Sequence, residues 1–356
     1  MLLGTALLKQ LTILFLSWRQ LARNSRDMIW FTDTLWHYPL LPLSVLYALC
    51  IKLRCHLYRW QLFASWQPPI PVIVIGNLTV GGSGKTPLVI WLVQQLQQQG
   101  LQVGVISRGY GGNYGGQAQL VYQDSLPQEV GDEPVLIVQR TGVPMAVAIR
   151  RSQAVERLLQ HYPLDLIISD DGLQHYGLQR QLEWLVIDGK RRFGNGHLLP
   201  AGPLREGLEK IGSVDALIVN GGDPQPNEHL MQLQFQQAVN LLTNETVPLN
   251  TLSTATVAMA GIADPQRFFA QLTQHGVNLQ QKIAFADHQP YQLAMLQSLT
   301  PAEQPLLMTE KDAVKCRAFA QANWWYCPVE THLSAASTML LINQVLDKIA
   351  DGTTTI

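Results

Sequence analysis

The segment PVIVIGNLTVGGSGKTP, from Pro71 to Pro87, decides the fold class of this chain. Its first half is a short β-branched run that ends at a glycine, which is typical of a buried parallel strand. Its second half is rich in glycine and leads into a stretch that predicts a helix. A strand, a glycine loop and a helix in this order form a phosphate-binding loop.

The glycine loop contains each kind of group that nucleotide phosphates require. Backbone N–H groups point at phosphate oxygens, a lysine neutralises the β and γ phosphates, and a hydroxyl binds magnesium. Thr79 stands where the usual pattern has its first glycine, so a plain glycine-rich turn stays an alternative. The predicted nucleotide-binding residues are Gly81, Gly82, Ser83, Gly84, Lys85, Thr86 and Pro87.

Short apolar runs and helical segments alternate along the chain after this loop. The runs predict further strands at 102–107, 165–169, 182–188, 214–220, 256–260, 305–309 and 324–328. Helices are predicted at 87–99, 146–161 and 265–275. This alternation implies βαβ crossovers, and therefore an α/β fold of the P-loop NTPase type, with a mostly parallel sheet and helices on both of its faces.

Composition excludes some classes of protein. The 356 residues are 47% hydrophobic and 14% charged, enough to bury a sizeable core, and the formal net charge is only −1. No dense stripe of Lys and Arg indicates nucleic acid binding. The four cysteines form no zinc-spaced pattern, which favours a reducing compartment.

The amino-terminal segment carries most of the charge asymmetry. Residues 1–60 contain seven basic residues against Asp27 and Asp33. The apolar run from Pro39 to Ile51 has 13 residues, fewer than the roughly 20 that span a bilayer. With aromatic and cationic residues at its end, it predicts a helix in the membrane interface, although a helix docked on the protein's own core is the alternative. No removable signal peptide is predicted, and Met28 is a second candidate start.

These observations divide the chain into three expected parts. Residues 1–65 form an amino-terminal extension with a membrane-associated helix. Residues 66–225 form the P-loop nucleotide-binding and catalytic domain, and residues 226–356 a smaller carboxy-terminal α/β subdomain. The boundary between the last two parts is placed in the loop-rich stretch from Asn220 to Thr254.

A metal partner for the phosphate loop follows the apolar run at 165–169. Asp170 and Asp171 come at the carboxyl end of this predicted strand, the edge where open α/β sheets bind ligands. Two adjacent acids also occur in turns and helix caps, which is the alternative. Beside a phosphate loop they predict ATP with Mg²⁺, held by Thr86 and both aspartates.

Eight blocks of the sequence together resemble the tetraacyldisaccharide 4'-kinase family, the lipid A 4'-kinases of Gram-negative bacteria. The resemblance covers roughly Trp30 to the carboxyl terminus, and the family shares the departure at Thr79. The blocks are GNLTVGGSGKTP (Gly76 to Pro87), SRGYGG (Ser107 to Gly112), GDEP (Gly131 to Pro134), DDGLQH (Asp170 to His175), RRFGNGHLLPAGPLRE (Arg191 to Glu206), AMAGIADPQRFF (Ala258 to Phe269), FADHQ (Phe285 to Gln289) and MTEKDAVKC (Met308 to Cys316).

The resemblance implies transfer of the γ-phosphoryl group of ATP to the 4'-hydroxyl of tetraacyldisaccharide 1-phosphate, a lipid A precursor. It implies a place at the cytoplasmic face of the inner membrane, with no obligatory protein partner. Lys85 and Asp132 match catalytic positions of the family, Asp132 as its general base, and His288 matches a dyad partner of that base. Without the resemblance, Asp132 is a loop acid before Pro134 and His288 an ordinary loop histidine.

Four further residues receive roles from the resemblance. Glu206 matches a position that helps to hold Mg²⁺, and Arg205 one that faces phosphate. Arg108 and Tyr110 match acceptor-binding positions, although the surrounding glycines also permit a simple turn. In the MTEKDAVK block, Thr309 can cap the helix with Lys311 and Asp312 beside the nucleotide, but a cap with solvated charges explains the pattern too, so no role is assigned there.

Two other functions are compatible with the architecture. One is a P-loop GTPase or metallochaperone-like switch protein, but the NKxD motif that selects guanine is absent. The other is a noncatalytic membrane adaptor that keeps the loop for stability. An adaptor that has lost its activity is not expected to retain the full set of site residues, which this sequence has: Lys85, Thr86, Asp132 and Asp171.

Overall fold

The fold is taken from a computed structural model that describes residues 29–32, 35–252, 255–300 and 304–353. The expectations about residues 1–27, Met28 and the absent signal peptide lie outside these ranges. Contacts between Cα atoms divide the chain into two compact units. The larger unit takes Ala48–Phe193, Arg205–Phe235 and the described part of Pro328–Ile356, and the smaller unit takes the other described residues.

A nine-stranded sheet organises the larger unit, in the order β15-β8-β7-β6-β1-β5-β2-β4-β3. Its inner strands are parallel, and only β3 and β15 run antiparallel to their neighbours. The strands are β1 (Val72–Gly76), β2 (Val103–Ser107), β3 (Gln119–Val121), β4 (Met145–Val147), β5 (Leu166–Asp170), β6 (Leu182–Asp188), β7 (Ala216–Asn220), β8 (Glu228–Gln234) and β15 (Glu330–Leu333). Every residue of β1, β2 and β5 is buried, which explains their unbroken apolar sequences.

Among the described residues, five helices lie wholly within the larger unit: α2 (Lys85–Gln98), α3 (Pro127–Val130), α4 (Asp132–Thr141), α5 (Arg151–Leu159) and α9 (Ala335–Thr353). Helix α2 buries seven consecutive or near-consecutive side chains between Leu88 and Leu96. A helix with so wide an apolar surface is a core helix. It therefore fixes the glycine loop that precedes it against the sheet. A 3-10 helix at Leu208–Ser213 precedes β7.

The smaller unit has its own six-stranded sheet, in the order β10-β9-β14-β13-β11-β12. Its elements are β9 (Gln237–Asn240), β10 (Thr246–Pro248), β11 (Thr256–Ala260), α6 (Pro265–Gln274), β12 (Leu279–Ala284), α7 (Leu293–Gln297), β13 (Leu306–Thr309), α8 (Glu310–Cys316) and β14 (Trp324–Cys327). Short 3-10 helices lie at Leu249–Thr251 and Arg317–Phe319. Met259, Met308 and Trp324 lie in its core. The Asp264 side chain caps α6 by accepting a hydrogen bond from Arg267 N at 3.2 Å.

The first described helical segment is longer than the 13-residue apolar run suggested. A 3-10 helix (Leu35–Leu40) continues into α1 (Leu41–Arg59), and together they have 25 residues, enough by length and composition to cross a membrane. Ser44 is the one buried residue among them. The exposed apolar side chains do not fit a helix docked on the protein's own core. The interfacial position of this helix stays a prediction.

Most predicted strands are found within two residues of their expected ends, but two predictions were wrong. The helix predicted at 146–161 begins only at Arg151, because Met145–Val147 forms β4. A short apolar run does not distinguish a buried strand from a helix. The loop-rich stretch from Asn220 to Thr254 contains β8, β9 and β10, whose glutamine-rich sequences lack a clear apolar alternation. The division into three domains, at residues 1–65, 66–225 and 226–356, stays a prediction.

Candidate active site

The glycine loop joins β1 to α2 with a backbone that requires glycine at two positions. Gly81 and Gly84 have φ values of 111° and 94°, which side chains with a Cβ rarely adopt. A Cβ on Gly84 would also lie 2.5 Å from Asn220 Nδ2, which donates a hydrogen bond to Ser83 O at 3.0 Å. The loop therefore delivers the N-terminus of α2, beginning at Lys85, as a site for anions.

Two acids stand beside this loop because β1 and β5 are adjacent parallel strands. Ile75 pairs with Asp170, and Asp171 N donates to Ile75 O at 2.9 Å. Asp171 has a φ of 50°, so the chain turns sharply at the end of the strand. Its carboxylate lies 3.7 Å from Lys85 Nζ and accepts from Arg205 Nη1 at 3.0 and 3.1 Å. The structure thus brings Lys85, Asp171 and Arg205 together.

The two neighbouring aspartates differ in their proton affinity. Burial, and next the charge of Glu133, raise the pKa of Asp170 to about 7. Burial also acts to raise the pKa of Asp171, but the Lys85 and Arg205 cations outweigh it and leave that pKa below its ordinary value. Asp170 Oδ1 is buried and has no hydrogen-bond partner among the described residues. An oxygen in this state is suited to a cation that the polypeptide does not supply.

Asp132 and the predicted acceptor-binding loop meet through three glycines. At Gly109, Gly112 and Gly131 the two backbones lie in direct contact. A Cβ on Gly131 would lie 2.8 Å from Tyr110 O, and a Cβ on Gly109 would lie 2.8 Å from Val130 O. Gly131 directly precedes α4, whose first residue is Asp132. The interlocked glycines therefore hold the exposed Arg108 and Tyr110 side chains on a loop that packs against the start of α4.

Asp132 itself is buried at the first turn of α4. Its Oδ1 accepts a hydrogen bond from Glu133 N at 2.9 Å. The start of α4 packs on the loop that follows β2, and β2 pairs with β5 in parallel, so Asp132 lies at the edge where both strands end. The structure therefore places the predicted base at the same edge of the sheet as the phosphate loop.

Glu206 has contacts that its predicted metal role did not anticipate. Its carboxylate accepts hydrogen bonds from Gln174 Nε2 at 3.0 Å and from the Tyr176 hydroxyl. Burial is the main reason that its pKa lies above the ordinary value. Within the described ranges, no three His, Cys, Asp or Glu side chains form a metal-binding group. A metal role for Glu206 stays a prediction.

His288 belongs to the smaller unit, in the turn after β12. Its φ is 58°, and its N–H donates to Asp287 Oδ1 at 3.1 Å. Lys311 belongs to α8, and its Nζ lies 3.4 Å from His288 Nε2. Asp132 belongs to the larger unit, and the pairing of the two residues stays a prediction.

The sequence did not indicate two residues that support this site. Asn220 holds the glycine loop from the end of β7, and its position after an apolar strand is the same signal that pointed to Asp170. Arg151 is buried, and its Nη2 donates to Asp170 O at 3.4 Å. Burial is the main cause that lowers the pKa of Arg151 to about 10. Its sequence position at the start of a helix gives no sign of this role.

Comparison with known proteins decides the family. The family model described as tetraacyldisaccharide-1-P 4'-kinase matches residues 36–347. The chain belongs to this family.

Curated relatives and a solved structure agree with the family model. A tetraacyldisaccharide 4'-kinase of Actinobacillus pleuropneumoniae serotype 5b is 53% identical over 90% of this chain and 99% of its own. A tetraacyldisaccharide 4'-kinase of Hamiltonella defensa is 53% identical, over 90% of this chain and 97% of its own length. The crystal structure of LpxK from Aquifex aeolicus in complex with ATP superposes with a TM-score of 0.75. The match has 29% sequence identity and covers 88% of this chain and 100% of the LpxK chain.

The raised pKa of Asp170 predicts that Asp170→Asn stabilises the protein when metal and nucleotide are removed. Ionised Asp170 opposes folding, because its pKa rises from 3.8 in the unfolded chain to about 7 in the folded one. The gain is therefore largest above pH 7, roughly 4 kcal/mol for a rise from 3.8 to about 7 at 1.36 kcal/mol per pKa unit. It decreases as the pH falls and vanishes near pH 4.

Thermal unfolding in EDTA between pH 4 and pH 8 measures this difference. Asp124→Asn is the matched control, because Asp124 is an exposed aspartate of the same unit. Equal melting temperatures of wild type and Asp170→Asn at pH 8 would contradict the assignment.

Proposed function

We propose that this protein is an ATP-dependent kinase that phosphorylates the 4'-hydroxyl of tetraacyldisaccharide 1-phosphate, a step of lipid A biosynthesis. The observation that carries the proposal is the cluster of Lys85, Asp171 and Arg205 at a glycine phosphate loop, in a chain of this kinase family. A cation pair beside a helix N-terminus suits the terminal phosphates of a nucleotide. The related solved structure from Aquifex aeolicus is a complex with ATP.

The loop residues have distinct roles in this proposal. The backbone of Gly81 to Thr86 and the Pro87 turn of α2 receive the phosphates, and Lys85 neutralises their negative charge. Phosphoryl transfer depends mainly on position and charge neutralisation. Arg205 is tied to the loop by its own N–H, which donates to Leu78 O at 2.6 Å. Its guanidinium is held by the Asp171 carboxylate, to which Nη1 donates at 3.0 and 3.1 Å.

Mg²⁺ fits the residues at the end of β5. Hard oxygens that this ion prefers are offered by the Thr86 hydroxyl, the Asp171 carboxylate and Asp170 Oδ1, which has no hydrogen-bond partner within the described ranges. Mg²⁺ usually takes only one or two carboxylates and completes its shell with phosphate oxygens and water, so a cluster of three acids is not required. When bound, it supplies charge neutralisation between the β and γ phosphates. Glu206 is a further candidate ligand.

Asp132 is the proposed general base. The acceptor oxygen forms a bond to the γ phosphorus while the bond from that phosphorus to the β–γ bridging oxygen breaks, and ADP leaves. The hydroxyl proton passes to the Asp132 carboxylate. His288 is the proposed partner of this base, and Arg108 and Tyr110 on the adjoining loop are the proposed acceptor-binding residues.

The other two functions are less well supported. A guanine-specific switch requires a selective motif that this sequence lacks, and the relatives carry the name of a kinase. A noncatalytic adaptor has no need for a buried acid beside a phosphate loop. Asp132 and Asp170 are both buried here, a costly arrangement without a catalytic or ligand-binding use.

The direct test incubates purified protein in detergent with γ-labelled ATP, Mg²⁺ and tetraacyldisaccharide 1-phosphate, and measures label in the lipid. Wild type is expected to label the lipid. Asp132→Asn keeps the shape but removes the proton acceptor, so kcat is expected to fall by about 10²- to 10⁴-fold with little change in the KM for ATP. Asp124→Asn is the control, with wild-type rates expected.

Other outcomes identify the alternatives. GTP hydrolysis without lipid labelling would indicate the switch protein, and no turnover by wild type would indicate the adaptor. A full kcat for Asp132→Asn would refute the general base while leaving the kinase activity in place.

The lipid acceptor requires that the enzyme reach a membrane, and we propose that the helical segment Leu35–Arg59 and the turn after it lie in the cytoplasmic face of the inner membrane. Exposing acyl chains to water costs about 0.8 kcal/mol per CH₂, so the chains remain in the bilayer. The large exposed apolar side chains of this region are Leu35, Trp36, Tyr38, Leu43, Val45, Leu46, Leu49, Leu53, Trp60, Leu62 and Phe63. Basic residues beside such a surface favour anionic lipids.

Removal of residues 1–60 is expected to move the protein from the membrane fraction to the soluble fraction. The deletion also removes Arg54, which donates to Gln174 O at 3.2 Å, so a second variant is needed. Replacing Leu46, Leu49 and Leu53 by glutamine keeps that contact and removes only exposed apolar surface. Leu242→Gln, at an exposed leucine elsewhere, is the control. Unchanged fractionation of both variants would refute the anchor.

A further inference from the structure

The MTEKDAVKC block contains an aspartate whose burial requires explanation. Asp312 is fully buried, and an isolated carboxylate in such a place is costly. Its Oδ2 accepts from Thr309 Oγ1 at 2.7 Å and from Gly261 N at 2.8 Å. Its Oδ1 accepts from the Tyr291 hydroxyl at 2.9 Å and lies 2.8 Å from Lys315 Nζ. Three hydrogen-bond donors and the Lys315 ammonium therefore compensate the charge of this one carboxylate.

These donors come from three different segments of the smaller unit. Thr309 and Lys315 belong to the β13–α8 region, Gly261 follows β11, and Tyr291 follows the FADHQ block. The segments approach so closely that a Cβ on Gly261 would overlap the Tyr291 hydroxyl oxygen and lie 2.9 Å from Asp312 Oδ1. Asp312 thus joins helix α8 to the turn that carries His288.

The turn with His288 is held at both ends. Phe285 N donates to Ala260 O at 2.9 Å before it, and Tyr291 is bound to Asp312 after it. Inside the turn, Gln289 N donates to Ala286 O at 3.1 Å. His288 is left in the left-handed backbone region with a φ of 58°, a conformation that persists only where the surroundings enforce it.

Lys311 extends from α8 to this histidine, one residue before Asp312. Its Nζ lies 3.2 Å from Asp287 Oδ1 and 3.4 Å from His288 Nε2. An ammonium group has only donors, so a hydrogen bond between these nitrogens requires a lone pair on Nε2. The neutral imidazole then carries its hydrogen on Nδ1. Lys311 therefore selects one tautomer of His288 as well as one orientation of its ring.

We infer that Lys311 is a positioning residue of the phosphoryl transfer, which fixes the Nδ1–H tautomer and the orientation of His288, while Asp312 holds both elements in register. The inference rests on the proposed function, in which His288 is the partner of the general base. In that role the histidine presents an Nδ1–H donor to a carboxylate. Loss of Lys311 reduces the population of imidazoles in the working tautomer and orientation.

The first test is kinetic and uses the full-length protein in the lipid phosphorylation assay. Lys311→Met removes the ammonium and retains much of the side-chain length. Its kcat is expected to fall about tenfold or more, because small misplacements of catalytic groups cost rates of this order. The KM for ATP is expected to stay within twofold of wild type. Lys311→Arg retains a cationic donor and is expected to recover most of kcat, and Lys282→Met, at an exposed lysine of β12, is the control.

The second test observes the tautomer. In protein labelled with ¹⁵N-histidine, the His288 signal is identified by its loss in His288→Gln. Nε2 is expected to be the unprotonated nitrogen in wild type and in Lys311→Arg. In Lys311→Met the protonated population is expected to shift toward Nε2, the tautomer that free histidine favours.

A double variant separates this inference from the proposed function. If His288→Gln lowers kcat, adding Lys311→Met to it is expected to cost no more than a further twofold, because both changes remove one function. If His288→Gln lowers kcat but Lys311→Met does not, the inference is wrong and the dyad stands. If Lys311→Met raises the KM for ATP at unchanged kcat, Lys311 binds nucleotide and the inference is again wrong. If His288→Gln has wild-type kcat, the dyad itself fails.

Discussion

The parallel pairing of β1 with β5 is the constraint on which the site depends. It puts the phosphate loop and Asp170–Asp171 at one edge of the sheet, since the carboxyl ends of neighbouring parallel strands coincide. Both strands are buried throughout, so their register is fixed by packing on two faces. Lys85, at the start of α2, meets Asp171 only because this register is kept.

The same arrangement concentrates charge at this edge of the sheet. Lys85 and Arg205 both bind Asp171, while one buried oxygen of Asp170 finds no partner in the part of the chain that the structure describes. Arg151 is buried beside it and bonds to the Asp170 backbone carbonyl. Such groups reduce the stability of a protein unless a ligand uses them. The fold itself therefore fixes the positions of these charged groups, and preorganised charges lower the reorganisation that a reaction at this edge needs.

Local patterns account for what the sequence could predict. The glycine loop and the acids after an apolar strand are contiguous, so their spacing alone indicated a phosphate site, and the strand–helix alternation indicated the fold. The interlocked Gly109, Gly112 and Gly131 left no such pattern, because backbone contacts between distant segments depend on the assembled fold. Asp312 was missed for a different reason: a helix cap at Thr309 explained its block, and only the folded structure shows that it is buried among three hydrogen-bond donors and an ammonium.

A crystal structure of this protein with a non-hydrolysable ATP analogue and Mg²⁺ tests the central claim most directly. The account predicts the γ phosphate within hydrogen-bond distance of Lys85 Nζ and of the loop N–H groups from Gly81 to Thr86. It also predicts the metal next to Thr86 and at least one of Asp170 and Asp171. A nucleotide bound elsewhere, with Lys85 still paired only to Asp171, would contradict it.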